Sequence, residues 1–295
     1  MNENKIDQLL ARAEVVLEKL DAMLPQPVIA PDWKNAIAFR WRKRNGRGVL
    51  QAVKYPHHIS FDDLKDIDDQ KARLEANTRR FVQGKPANNV LLTGARGTGK
   101  SSLVKAALNH FARQGLRLIE VDRGDMIDLP DIAEIIAQRR ERFIIFSDDL
   151  SFEAGDPGYK ALKSILDGTV SADAGNVLIY ATSNRRHLMP ENMSENLEAK
   201  HTEDGEIHPG ETTEEKISLS ERFGLWLSFY PFDQEQYLDI AEHWVGVIAQ
   251  GKHKGDVMRQ AALLWALERG SRSGRVAFQF AKDWAARHSS PVARK

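Results

Sequence analysis

Gly94-Ala95-Arg96-Gly97-Thr98-Gly99-Lys100-Ser101 fits the phosphate-loop pattern G-x-x-x-x-G-K-[ST] at every specified position. A triphosphate tail needs backbone N–H groups pointing inward, an ammonium near its β and γ phosphates, and a hydroxyl for Mg²⁺. Lys100 supplies an ammonium at the right place and Ser101 a hydroxyl. The candidate nucleotide-binding stretch therefore runs from Gly94 through Ser102. Its three glycines allow backbone conformations and close approaches that a Cβ would often forbid.

The flanks have the order such a loop requires. Asn89-Val90-Leu91-Leu92-Thr93 reads as a buried strand, and residues 102–114 carry Leu103, Ala106, Ala107, Leu108 and Phe111 at helical spacing before Gly115 stops the helix. From residue 84 onward apolar runs alternate with helical patterns. Residues 90–93, 116–121, 143–147, 177–182 and 225–229 read as five buried strands, separated by helices such as 130–140 and 159–166. That alternation predicts an α/β fold, a five-stranded parallel sheet with helices on both faces, with the loop at the carboxyl end of its strand. After Pro231 three helical patterns follow, 234–250, 255–269 and 273–287, which predict a small all-helical domain over 232–295. The α/β domain is expected over 60–231, with a long acidic insertion at 189–217 whose length marks it as functional or mobile.

Residues 1–59 form an amino-terminal segment of two parts. Ile6, Leu9, Leu10, Ala13, Val16, Leu17, Leu20, Met23 and Leu24 make one helical stripe that must be buried on the protein's own core or on another subunit. Phe39-Arg40-Trp41-Arg42-Lys43-Arg44-Asn45-Gly46-Arg47 is the one dense basic cluster. It reads either as a nucleic-acid grip or as a solvated loop between two strands, its arginines meeting carboxylates. The balance of 42 acidic and 42 basic residues gives no global pull toward nucleic acid or membrane. Cysteine is absent, which excludes disulfide and thiol chemistry, and no apolar run approaches the ~20 residues a bilayer span needs. The expectation is a soluble, cytoplasmic protein.

Phe143-Ile144-Ile145-Phe146-Ser147-Asp148-Asp149 is an apolar strand tipped with two carboxylates, at the strand end that faces the loop. One of the two, Asp148 or Asp149, is expected to hold Mg²⁺ through water beside the Ser101 hydroxyl, and the other to orient the attacking water. The strand at 177–182 exits into Ser183-Asn184, where an amide could touch the γ-phosphate or the water, or cap a turn.

Taken in order, the loop, the acid-tipped strand, Thr182-Ser183-Asn184, Ser220-Glu221-Arg222-Phe223-Gly224 and Ser273-Gly274-Arg275 resemble the motif series of an AAA+ ATPase over roughly residues 60–290. Pro86-Ala87-Asn88-Asn89-Val90-Leu91-Leu92, Asp148-Asp149-Leu150-Ser151-Phe152-Glu153 and Leu219-Ser220-Glu221-Arg222-Phe223-Gly224-Leu225-Trp226 are similar to a bacterial group of AAA+ ATP-binding proteins catalogued mainly as a domain of unknown function. The resemblance implies ATP and Mg²⁺ as cofactors, and the helical domain as a lid. It also implies a homo-oligomeric ring or partial ring. Arg222 would then be a finger reaching a neighbour's γ-phosphate, and Arg275 a lid residue on its own subunit's phosphates. Asp149 stands where many relatives have glutamate, so Glu153 is an alternative base. Asp122-Arg123-Gly124-Asp125-Met126-Ile127-Asp128 lacks the aromatic residue that protein-threading relatives use, which disfavours an unfoldase. What remains is an ATPase acting on an unidentified protein client. The alternatives are a slow ATP-dependent switch or scaffold, and a nucleic-acid or helicase loader, with a small-molecule kinase the least favoured.

Overall fold

The computed structural model describes residues 12, 31–44, 47–152, 156–168, 175–184, 188, 200–201, 207–208, 219–249 and 255–288. Every residue of the 6–24 stripe lies outside the described residues. So does most of the 189–217 insertion, of which only the short antiparallel pair β7 (Lys200–His201) and β8 (Ile207–His208) is described.

A seven-stranded sheet forms the centre. Its strands are β1 (Ala38–Arg44), β2 (Arg47–Ala52), β3 (Val90–Gly94), β4 (Leu116–Glu120), β5 (Arg142–Ser147), β6 (Val177–Ser183) and β9 (Leu225–Phe229), in the order β2-β1-β4-β5-β6-β3-β9. All neighbours are parallel except β1 and β2. The five parallel strands expected from the sequence are therefore present, and the strand count has to be corrected upward by the β1–β2 hairpin. The basic run concealed a period of two. Phe39 and Trp41 turn into the core, while Arg40 bonds Glu120 at 2.7 Å and Arg42 bonds Asp122 at 2.7 Å. Lys43 sits 2.9 Å from Asp128, which also accepts the Trp41 indole N–H at 2.9 Å.

The α-helices bounded within the described residues are α1 (Asp68–Val82), α2 (Lys100–Phe111), α3 (Leu129–Ala137), α4 (Pro157–Leu166), α5 (Gln234–Ile248), α6 (Asp256–Glu268) and α7 (Gly274–His288). Among the described residues none is long and apolar enough to cross a membrane.

Each central strand is buried on both faces, and alternate residues feed two cores. Val90, Leu92, Ile144, Phe146 and Tyr180 face α1, α2 and the three carboxyl-terminal helices. Leu91, Phe143, Ile145 and Ile179 face α3, α4 and the hairpin residues Phe39 and Trp41. Tyr237, Ala241, Ala262 and Phe280 of α5 to α7 belong to the same continuous core as Leu64, Ile67 and the sheet. The carboxyl-terminal helices are thus seated against the α/β layer by apolar contact, each large buried side chain contributing about 1.5–3 kcal/mol.

Helix α1 buries Leu74 and Phe81 in that core and is pinned by polar groups as well. Asn77 donates to the Asn88 carbonyl at 2.9 Å and accepts from the Asn88 amide at 3.0 Å, just ahead of β3. The fully buried Tyr180 hydroxyl lies 2.8 Å from Thr78 Oγ1 and accepts from Asn77 Nδ2 at 3.2 Å. Burial pushes the Tyr180 phenol up to about 12, with Thr78 and Asn77 pulling the other way. Tyr180→Phe removes the atom that joins α1 to β6, and the expected loss is about 1–2 kcal/mol. A urea titration with unchanged slope and a lower midpoint checks this.

Candidate nucleotide site

Strand order makes the site. β5, β6 and β3 are adjacent and parallel, so their carboxyl ends bring Asp148 and Asp149, Thr182 to Asn184, and the loop after Gly94 to one edge of the sheet. The chain leaves β3 through α2 and re-enters at β4, three places away, then fills in β5 and β6 between them.

The loop's shape depends on absent side chains. Gly94 has φ +127°, and a Cβ there would lie 1.9 Å from the Phe229 carbonyl oxygen, an atom that also accepts the Ala95 amide at 3.2 Å. At Gly97, φ +73°, a Cβ would meet Ser273 at 2.8 Å, and its carbonyl accepts the Gly274 amide at 2.8 Å. The first turn of α7 is therefore bonded directly to the loop. Thr98, 2 % exposed, closes the loop on itself through its hydroxyl to Ala95 O at 2.8 Å. The loop runs into the amino end of α2, where Lys100, Ser101 and Ser102 leave backbone N–H groups in the positive end of a helix dipole.

Side chains complete a continuous hydrogen-bonded set. Lys100 Nζ donates to the carbonyls of Gly94 and Ala95, each at 2.7 Å, and to Asn184 Oδ1 at 3.1 Å. Asn184 Nδ2 donates to Asp149 Oδ1 at 2.5 Å. Ser101 Oγ and Thr182 Oγ1 both donate to Asp148 Oδ1, at 2.5 and 2.6 Å. Thr182 Oγ1 also accepts the Asp149 amide at 2.9 Å. Asp149 occupies the left-handed region at φ 55°, which aspartate tolerates better than most residues. Burial pushes the Lys100 ammonium below its usual value, and the charges of Asp148 and Asp149 work against that shift. The exposed Arg96 lies 3.9 Å from Asp149.

Ser101 Oγ and Asp148 Oδ1 are hard oxygen donors side by side, the set Mg²⁺ accepts when substrate phosphates and water supply the remaining ligands. No group of three or more His, Cys, Asp or Glu among the described residues is arranged to hold a metal on its own. The residues fit a metal shared with phosphate.

The other predicted residues fall in different places. Arg275 stands in the first turn of α7, beside Gly97, exposed. Arg222 makes its ion pair at the carboxyl end of α4, where its Nε donates to Asp167 Oδ1 at 2.5 Å. Glu153 lies outside the described residues. Thr182 has no role of its own in the sequence reading, although it ties Asp148 to Asp149. Its position two residues before Asn184, at the end of a buried strand, is the signal that could have found it. Ser273, whose Cβ faces Gly97, has no local signal, because that contact is long range.

Beside the loop, a cleft of about 880 Å³ is lined by Ala95, Arg96, Thr98, Phe232, Leu263 and Leu267 among others.

Thr182→Val keeps the branched shape and deletes both bonds. Hydrogen exchange at the Asp149 amide is expected to accelerate while β6 amides stay protected, with stability lower by about 1–3 kcal/mol.

This fold is shared with solved structures. RuvB of Thermotoga maritima superposes with a TM-score of 0.53 at 16% identity, covering 76% of this chain and 63% of that one. The Aeropyrum pernix ORC1 protein, solved in complex with DNA, superposes with a TM-score of 0.50 at 18% identity, covering 78% and 63%. The chain thus spans about 63% of the length of these two structures, and the likeness establishes the AAA+ fold. No curated protein matches the sequence. A family described as a protein of unknown function, DUF815, matches residues 34–288, a stretch that takes in every element from β1 to α7. The chain belongs to the DUF815 family, and its fold is that of the AAA+ ATPases.

Proposed function

We propose that the chain is an ATPase that binds ATP with Mg²⁺ at residues 94–102 and hydrolyses it at a site completed by a second copy. The observation that carries this reading is the unbroken set of bonds joining Lys100, Asn184 and Asp149 to the loop, and Ser101 and Thr182 to Asp148. One buried ammonium, helix-end amides and two oriented carboxylates around a glycine loop match what phosphoryl transfer to water requires.

Each residue has a distinct task in this reading. The loop amides and Lys100 bind the phosphates. Ser101 and Asp148 would hold Mg²⁺, which when bound neutralises charge on the phosphate oxygens. Asp149 accepts the proton of the attacking water, and Asn184 holds both that carboxylate and the water's position. Arg275 reaches the phosphates from the lid of the same chain. Arg222 reaches them from a neighbouring copy in a ring or partial ring. Because α7 is bonded to the loop through Gly97 and Gly274, phosphates drawn to the loop bias the lid, and lid movement would act on an unidentified protein client. Nucleic acid is disfavoured as the partner, since Arg40, Arg42 and Lys43 already meet Glu120, Asp122 and Asp128. A cytoplasmic setting suits a cysteine-free chain that consumes ATP.

A second reading, a switch with very slow turnover, is favoured by one observation: Asp149 is held by Asn184 and has Arg96 nearby. Turnover number separates the two.

Lys100→Ala is expected to weaken binding of a fluorescent ATP analogue by about 10²-fold or more while the protein stays folded; parental affinity would remove the loop from the reading. Asp149→Asn is expected to bind the analogue normally and slow turnover by about 10²-fold. Full turnover in Asp149→Asn together with loss in Glu153→Gln would move the base to Glu153.

A further inference from the structure

Arg222 occupies a turn fixed to the sheet. Leu219 and Ser220 are fully buried, the Trp226 indole donates to the Ser220 carbonyl at 2.8 Å, and the Arg222 amide donates to the Leu219 carbonyl at 3.2 Å. From that turn its side chain reaches Asp167, Nε to Oδ1 at 2.5 Å.

Asp167 is held just as firmly. It caps the carboxyl end of α4, its amide donating to the Lys163 carbonyl at 2.9 Å. Helix α4 is itself seated by the buried Tyr159 and Leu162 and begins at an Asp156 cap. The ion pair therefore joins two pinned backbones, the helix that follows the acid-tipped strand β5 and the turn that carries Arg222. With the two side chains 25 % and 34 % exposed, solvent screens the attraction, so the pair is worth more as geometry than as stability.

We propose that Asp167 is a positioning residue for Arg222, fixing the guanidinium through Nε so that one orientation is presented to the phosphates held by a neighbouring copy. This rests on the reading of Arg222 as a finger acting in trans. An unbraced arginine spreads over many rotamers, and a group displaced by about 1 Å from its productive place loses up to about 10²-fold in rate. A carboxylate on one edge of the guanidinium removes much of that freedom before the neighbour arrives.

The test compares Asp167→Ala and Arg222→Ala in the full chain. Asp167→Ala is expected to keep parental affinity for a fluorescent ATP analogue and parental KM, and to lose about tenfold in kcat. Arg222→Ala is expected to lose about 10³-fold, and adding Asp167→Ala to it should cost nothing more. Mixing Asp167→Ala subunits with Lys100→Ala subunits should restore turnover, because the latter offer a braced Arg222 to the former's intact loop. A lesion confined to α4 would stay in its own subunit and resist that rescue. If Asp167→Ala does not fold, Asp167→Asn keeps the side-chain size and removes the charge, and the Arg222 Nε–H resonance should shift toward that of a solvated arginine. Parental or raised kcat in Asp167→Ala beside a disabled Arg222→Ala would overturn the positioning role and leave the finger standing. Parental turnover in Arg222→Ala would overturn both.

Discussion

Asp148 Oδ1 accepts two hydroxyl hydrogen bonds, from Ser101 at 2.5 Å and from Thr182 at 2.6 Å, and those donors come from two different elements. One oxygen thereby locks the end of β5 to the first turn of α2 and to the end of β6. The arrangement exists because β5, β6 and β3 lie side by side and parallel, so that three strand ends from distant parts of the chain open onto one edge. Charge-assisted bonds of this kind are roughly twice as strong as neutral ones. They orient the Asp148 carboxylate within the folded chain, the kind of fixed arrangement that electrostatic preorganisation requires.

The second constraint is steric. Gly94 allows β3 to approach the Phe229 carbonyl, and Gly97 allows α7 to sit on the loop, so the sheet, the loop and the carboxyl-terminal helices meet where no Cβ intervenes. A bulkier residue at either place would push the loop away from β9 or from the first turn of α7. The carboxyl-terminal helices are joined to the α/β layer twice over, by the Gly274 to Gly97 hydrogen bond and by an apolar core continuous with the sheet. That continuity favours small adjustments of the helices over their release.

Much of this is legible in the sequence because its signals are local. The loop pattern, the five apolar runs and the two aspartates at the end of one of them each need only a few neighbouring residues, and the strands lie within a residue or so of where periodicity puts them. The β1–β2 hairpin is obscured because arginines at alternate positions look like a basic cluster until Glu120 and Asp122 are brought opposite them. Helix α1 escapes a periodicity reading because Leu74 and Phe81 are its few buried apolar residues and the polar Asn77 and Thr78 fill the rest of its buried face. The bracing of Arg222 by Asp167 is invisible for a related reason: both ends are single polar residues far apart in the chain, and only the packing of α4 against its neighbours brings them together.

One chain holds the loop, Asp148, Asp149 and Asn184 together while its Arg222 is tied to Asp167, so on the proposed reading a second copy completes the site. Steady-state ATP turnover per subunit, measured across a wide range of protein concentration at saturating Mg²⁺ and ATP, tests it most directly. Specific activity is expected to be low in dilute protein and to climb to a plateau as copies associate. Specific activity that stays constant from monomer to assembled protein would contradict it.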